Sequence, residues 1–257
     1  MQSEVKREIA DLQPLVDRLN YWVPLDEADR AAILALPHTV KTVEAHNYLV
    51  REFDRAAWSG LLMDGFAVRH KMVAGGHRQI VSIHMRGEFV DLQNSILGIA
   101  DHSVQMLTKG RYAQISSDLI KELAAKRPNV GLAMWTDTLV DGSIFREWIA
   151  NVGRRDARAR VAHLLCEFAL RLKVAKLGKV ENYELPMTQE QLADATGLTP
   201  VHINRTIKQL QAEGMIDRSG PRSIRIGDWQ RLADAADFNS NYLHLHSNEP
   251  ALQPYTR

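Results

Sequence analysis

The apolar positions of this chain change period along its length, and the changes divide it. Near the start, Ile9, Leu12, Leu15, Val16 and Leu19 fall at helical spacing. Leu25-Asp26-Glu27-Ala28 opens a second short helix ending near Pro37, so residues 1 to about 36 are expected to be helical. From Val40 to Ser117 short alternating runs take over, such as residues 66–73 and 78–85, separated by turns at Gly65 and Gly75-Gly76. That is the pattern of an antiparallel barrel or roll. Residues 118–123 read as a short helix and Arg127-Pro128 as a boundary. A long helix is then expected from about Asn129 to Val152. Leu132, Trp135, Leu139, Gly142, Ile149 and Val152 form one stripe along it, and Met134, Phe145 and Trp148 widen the apolar surface. A stripe so wide must be covered on more than one side.

Residues 187–216 then pack two short helices around a tight turn. Thr188 with Gln191 three positions on is a capping box, so a helix starts there, with Leu192 and Ala193 on its buried side. Thr196 and Gly197 end it, and glycine can take the positive φ of a sharp turn. Thr199 is an N-cap and Pro200 suits the first helical position. Ile203, Ile207 and Leu210 face inward; Gly214 closes the helix, and Met215 and Ile216 resume a strand. Val201, His202, Asn204, Arg205 and Lys208 are left on the outward face, where they could meet base edges and phosphates. An ordinary helical hairpin has the same outline. Residues 217–226, DRSGPRSIRI, add a two-stranded wing around Gly220-Pro221, with Arg218, Arg222 and Arg225 toward solvent. Arginine there would grip the DNA backbone.

This segment resembles the DNA-binding domain of the Crp/Fnr superfamily of bacterial transcription regulators. Met187-Thr188, Gly197, Arg205 and Leu210 stand at the family's spacing. Residues 151–166 are similar to the junction between the family's long dimer helix and its DNA-binding domain, with Asp156 matching the acidic hinge residue. Residues 62–89 resemble its β-roll, with Gly65 at a turn, Gly75-Gly76 in a hairpin and Arg86-Gly87-Glu88-Phe89 entering the ligand region. The match covers roughly residues 40 to 226. It implies an α+β fold: N-terminal helices and a cupin-like roll over residues 1–127, a dimer helix over 128–153, a winged helix-turn-helix over 154–228, then a short helix and polar tail over 229–257. It also implies a homodimer on a palindromic operator, with RNA polymerase as a further partner. In that frame Arg205 is the main base reader, helped by Asn204, His202 and Val201. Thr188, Gln189, Thr199, Lys208, Arg218 and Arg222 are placed for phosphates. Pro200 and Val201 stand where familiar members carry arginine or glutamate, so the operator should differ from theirs.

Members that bind cyclic nucleotides have a glycine and a glutamate after the Gly-Glu-Phe motif, then Arg-Ser. Here Asp91 and Leu92, then His102 and Ser103, fall at those places, with Phe145 and Arg146 on the long helix. A carboxylate repels a phosphate, leucine accepts no hydrogen bond, and histidine lacks the planar arginine fork. No cyclic AMP binding by the usual mode is expected. A pocket for another effector, if there is one, would involve Asp91, Leu92, His102, Ser103 and Phe145.

Composition adds bounds. Lys and Arg number 32 against 31 Asp and Glu in 257 residues, a net +1, so whole-chain charge is silent on nucleic acid. Local clusters are not: Arg154, Arg155, Arg158 and Arg160, then Arg171, Lys173, Lys176 and Lys179, are either a solvated face or extra attraction for phosphate. The single cysteine, Cys166, excludes an internal disulfide and the family's iron–sulfur branch, and reads as a buried thiol; it says nothing about haem. His70, His77, His84 and His102 lack metal-ligand spacing, and His244 and His246 sit in the tail. No secretory signal or eighteen-residue apolar run is seen, so a cytoplasmic, non-enzymatic protein without cofactor or membrane is expected. Two other classes stay open: an interaction module with a degenerate DNA domain, and a metal enzyme built on the roll.

Overall fold

The computed structural model describes residues 12–55 and 57–245; Ile9 and His246 lie outside them. Two helices come first, α1 (Gln13–Trp22) and α2 (Glu27–Leu34). Asp26 starts α2 by accepting the Asp29 amide at 2.7 Å. The roll follows: β1 (His38–Val43), β2 (Tyr48–Val50), β3 (Trp58–Asp64), β4 (Ala67–Met72), β5 (Arg78–His84), a one-turn helix α3 (Asn94–Leu97), β6 (Ser103–Met106) and β7 (Gly110–Ser116). Its antiparallel strands form two sheets, β1-β7-β3 and β2-β6-β4-β5. Gly65 turns β3 into β4 at φ 81°, and a Cβ there would lie 2.9 Å from the Lys109 carbonyl oxygen.

Two helices lead out of the roll. α4 (Ser117–Lys126) extends further than the expected 118–123, and α5 (Pro128–Arg154) runs 27 residues. α5 buries Val130, Ala133, Met134, Val140, Ile144 and Trp148 against the body of the chain. Its other side stays apolar and bare: Leu132 is 48% exposed, Trp135 64%, Leu139 57% and Ile149 70%. Gly142 and Val152, on the same stripe, are half-buried. α5 stops at Arg155, and Asp156 accepts the Ala159 amide at 2.9 Å to start α6 (Ala157–Val174). Beyond come β8 (Asn182–Glu184), α7 (Gln189–Thr196), α8 (Pro200–Ala212), β9 (Ile216–Asp217), β10 (Ser223–Ile226), α9 (Trp229–Ala235) and a 3₁₀ turn at Ser240–Leu243.

Three apolar clusters hold this together. Leu49, Leu62, Val90, Val104 and Tyr112 fill the roll. Leu15, Leu19 and Ile33 pack with Leu61, Ile115 and Ala133, tying the first helices to the β1-β7-β3 sheet and the start of α5. The third is shared: Val68, Ile80, Ile83 and Met85 of the roll join Ile144 and Trp148 of α5 and Phe168, Leu192, Ile203 and Ile207 further on. The helix ends at residue 155, but the packing is continuous across that point.

Candidate nucleic-acid interface

The two short helices are built as their caps require. The Thr188 hydroxyl accepts the Gln191 amide at 3.2 Å while the Gln191 side chain accepts the Thr188 amide at 2.8 Å. Gly197 closes α7 at φ 66°. Thr199 then accepts the His202 amide at 3.2 Å, with Pro200 in the first turn of α8. At the far end Gly214 takes φ 73°, and the Met215 amide reaches the Leu210 carbonyl at 3.1 Å, a Schellman ending. Ile203, Thr206, Ile207 and Leu210 are buried, which fixes the rotation of α8 about its axis. Val201, Arg205 and Lys208 therefore stand in solvent, Val201 at 81% exposure, with His202 and Asn204 half-exposed beside them. Arg205 Nη2 lies 3.1 Å from His202 Nε2. A guanidinium only donates, so a hydrogen bond there uses His202 Nε2 as the acceptor. Thr188, Gln189 and Thr199 are exposed at the starts of α7 and α8.

The expected two-stranded wing has a third strand. β10 lies between β9 and β8, pairing Arg225 with both Asp217 and Asn182. Three residues joined to a partner some forty positions away leave no local pattern, so β8 was not foreseen. Of the wing arginines, Arg222 is exposed, Arg218 is half-buried rather than free in solvent, and Arg225 is ion-paired with Asp217.

The basic cluster ahead of the helix-turn-helix is mostly spent inside the molecule. Arg155 pairs with Glu147 at 2.7 Å, Arg158 donates to Glu213 at 2.5 Å, and Arg160 donates to the Arg155 and Thr196 carbonyls. Arg171 is corrected outright: it is buried, not part of a basic face. Its Nη2 donates to Glu88 at 3.0 Å and its Nη1 to Glu167 at 3.2 Å. Arg18 of α1 also donates to Glu88, at 3.0 Å, and to Asp137 of α5 at 2.8 Å. Burial pushes the Glu88 carboxyl up, but Arg171 and Arg18 outweigh it and hold it far below the usual range. This junction ties α1, the roll, α5 and α6 together. A signal for Arg171 was present, since it shares the helical face of buried Leu164 and Phe168.

The five residues considered for an effector pocket are not gathered around one. Asp91 is buried and accepts the Ser59 hydroxyl at 2.7 Å and the Gly60 amide at 2.9 Å. Burial still raises its pKa, and it serves as an internal tie of the roll. Ser103 accepts the Glu52 amide at 3.0 Å, and His102 Nδ1 lies 2.6 Å from Asp101. Burial, with Arg69 nearby, pushes His102 down to about 4. Of the five, Leu92 alone borders the space between roll and long helix, about 20 Å³, room for one water. Arg69, which the sequence did not single out, fills that region. It donates to Asp141 at 2.8 Å and to the Val90 carbonyl at 2.9 Å, and its guanidinium lies 5.2 Å from the Phe145 ring centroid.

Cys166 is fully buried, and burial pushes its thiol far up, so it is inert. His70, His84 and His102 are buried, and among the described residues no group of three His, Cys, Asp or Glu is set to hold a metal ion. His244 Nε2 contacts the Ser143 hydroxyl at 3.1 Å. No helix among the described residues is long and apolar enough to cross a membrane.

Residues 159–235 match the Crp-like helix-turn-helix domain. The chain is similar to the transcriptional activator protein FnrL of Cereibacter sphaeroides, 29% identical over 72% of this chain and 77% of that one. It is equally 29% identical to the probable transcriptional regulator flp of Lacticaseibacillus casei, over 87% of this chain and 95% of that one. The structure of FixK2 from Bradyrhizobium japonicum shares the fold, with a TM-score of 0.71 at 22% identity, covering 78% of this chain and 98% of that one. Roll, long helix and winged helix-turn-helix occur here in one chain, residues 159–235 form a Crp-like helix-turn-helix domain, and these similarities support membership of the Crp/Fnr superfamily.

Proposed function

We propose that this chain is a sequence-specific DNA-binding transcription regulator that works as a homodimer on a palindromic operator. The observation that carries the reading is the bare outer face of α8. Its apolar side is fully used in the core, and Val201, Arg205 and Lys208 are left exposed on a helix held at both ends by caps. In the major groove, Arg205 reads a guanine through its planar fork, Asn204 and His202 add base or phosphate contacts, and Val201 meets a thymine methyl. Thr188, Gln189, Thr199, Lys208, Arg218 and Arg222 fix the register on phosphates.

The exposed stripe of α5 supports the dimer. Leu132, Trp135, Leu139 and Ile149 make an apolar surface that a lone chain leaves in water. Pairing it with the same stripe of a second copy sets two α8 helices about one DNA turn apart, so half-sites are inverted repeats. The relatives named as activators support RNA polymerase as a further partner, a cytoplasmic site of action and a role other than catalysis. Cyclic AMP bound in the family's usual mode is not expected, and the Arg69–Asp141 pair between roll and long helix supports this.

The test is selection of bound sequences from a random duplex pool with the full chain. An inverted repeat is expected, with affinity falling steeply as salt rises. Enrichment of no sequence, or a single unrepeated half-site, would sink the proposal.

A further inference from the structure

A second cavity lies outside the roll, of about 320 Å³, where α1, the turn after β5, α5 and the end of α6 meet Leu243 and Leu245. That is the lower end of the ~300–1,000 Å³ typical of small-molecule sites. Its walls are of two kinds. Val140, Ile144, Val174, Leu243 and the Trp22 ring give apolar surface. Arg18, Arg86, Arg171 and Lys176 give four cations beside Asp17 and Glu88, and Asp137 and Glu167 behind the wall also pair with Arg18 and Arg171. Arg18 and Arg171 are held by Glu88. Arg86 and Lys176 are exposed, and neither has an anionic partner among the described residues. An apolar chamber whose lining carries two cations without an anionic partner among the described residues, Arg86 and Lys176, selects a monoanion with a hydrocarbon body.

We propose that this cavity is an effector site for small carboxylates with an aliphatic body, read out by the DNA-binding domain through Arg171. The inference rests on the DNA-binding reading above. A bound carboxylate recruits Arg86 and Lys176 and competes with Glu88 for Arg18 and Arg171. Arg171 belongs to α6, and α6 packs directly on α8. Loosening the Arg171–Glu88 tie weakens the polar link between α6 and the roll, with the shared apolar cluster kept, and changes how α8 is presented. The site has no share in the roll interior, where Arg69 leaves no room.

The test is calorimetric titration of the full chain with octanoate, octanamide and inorganic phosphate, followed by DNA titration at saturating octanoate. Octanoate is expected to bind at least ~10-fold tighter than octanamide, which lacks the charge, or phosphate, which lacks the body. Octanoate should shift DNA affinity by roughly 5-fold or more. The double variant Arg86→Gln, Lys176→Gln removes two exposed cations without touching the buried ties and should weaken octanoate about 10-fold. Ala175→Trp fills the cavity and should abolish binding. No octanoate binding, or binding indifferent to Arg86→Gln, Lys176→Gln, overturns the site; binding by phosphate as tight as octanoate does the same. Octanoate binding with unchanged DNA affinity overturns the coupling. Octanoate binding to a protein that takes up no DNA leaves the site standing and sinks the functional reading instead.

Discussion

Arg205 and Arg171 sit on neighbouring helices of one domain and carry the same charge, yet they live in opposite surroundings. Arg205 projects into solvent beside His202, and Arg171 is 8% exposed between Glu88 and Glu167. The first charge is hydrated and available to a partner. The second has given up its water and is held by two carboxylates, one of which Arg18 shares. An arginine in a sequence is thus a charge of unknown availability. Which elements fold against it decides whether it binds something outside or holds something inside, and the energies differ accordingly.

Breaking the buried side should have the largest effect. Glu88→Gln leaves Arg18 and Arg171 facing each other without their common acid. We expect a loss of about 3–5 kcal/mol in urea unfolding, the range for removing one partner of a buried ion pair. The sign with pH follows from the depressed pKa of Glu88. Its contribution is complete above the ordinary carboxylate pKa and is lost as acid protonates it. A Glu88→Gln protein as stable as wild type at neutral pH would show that the junction is not bearing on the fold, and the contrast with Arg205 would vanish.

His102 gives the next effect, over a different pH window. It is buried, and its pKa is lowered to about 4. The unfolded chain takes up the proton near 6.5, so stability is full above that pH and falls as pH drops toward 4. The loss should be on the order of 3 kcal/mol, at 1.36 kcal/mol per unit. His102→Gln should flatten the stability curve between these limits, and an unchanged slope would assign the acid loss to other groups.

What the sequence made legible follows the same division. α7 and α8 were readable because their caps and turn glycines act on neighbours: Thr188 on Gln191, Gly197 on its own turn, Thr199 on His202. The long helix and its bare stripe were readable from the helical period of Leu132, Trp135 and Leu139. The strands of the roll were readable from alternation and from Gly65 and Gly75-Gly76. Whatever depends on distant partners was not. β8 pairs with β10 across the whole helix-turn-helix, and Arg69 meets Asp141 seventy-two positions away. Arg171 read as part of a basic face because Glu88, its partner from the roll, lies 83 positions back in the chain. The five effector-pocket residues follow from resemblance to nucleotide-binding members, whereas Arg69 lies in no motif and is placed by Asp141 and Val90.

On the exposed side the effects are smaller and of another kind. Arg205→Ala should leave unfolding within ~0.5 kcal/mol of wild type, since its side chain supports nothing buried. It should weaken the selected operator by about 1–3 kcal/mol and blur preference at one base pair in each half-site. If Arg205→Ala binds the operator as tightly as wild type, base reading belongs to other residues of α8.

The smallest effect separates gripping from reading. Arg222 is exposed at the tip of the wing, whereas Arg225 three positions on is tied to Asp217. Arg222→Ala should therefore weaken binding to operator and unrelated duplex alike and lower the slope of log affinity against log salt by about 1. Sequence preference should be untouched, because phosphates are the same everywhere on the duplex. A variant that kept the slope but lost preference would move Arg222 from the backbone to a base edge. The wing would then have to enter a groove, with its three strands turned far enough to carry Arg222 past the phosphates.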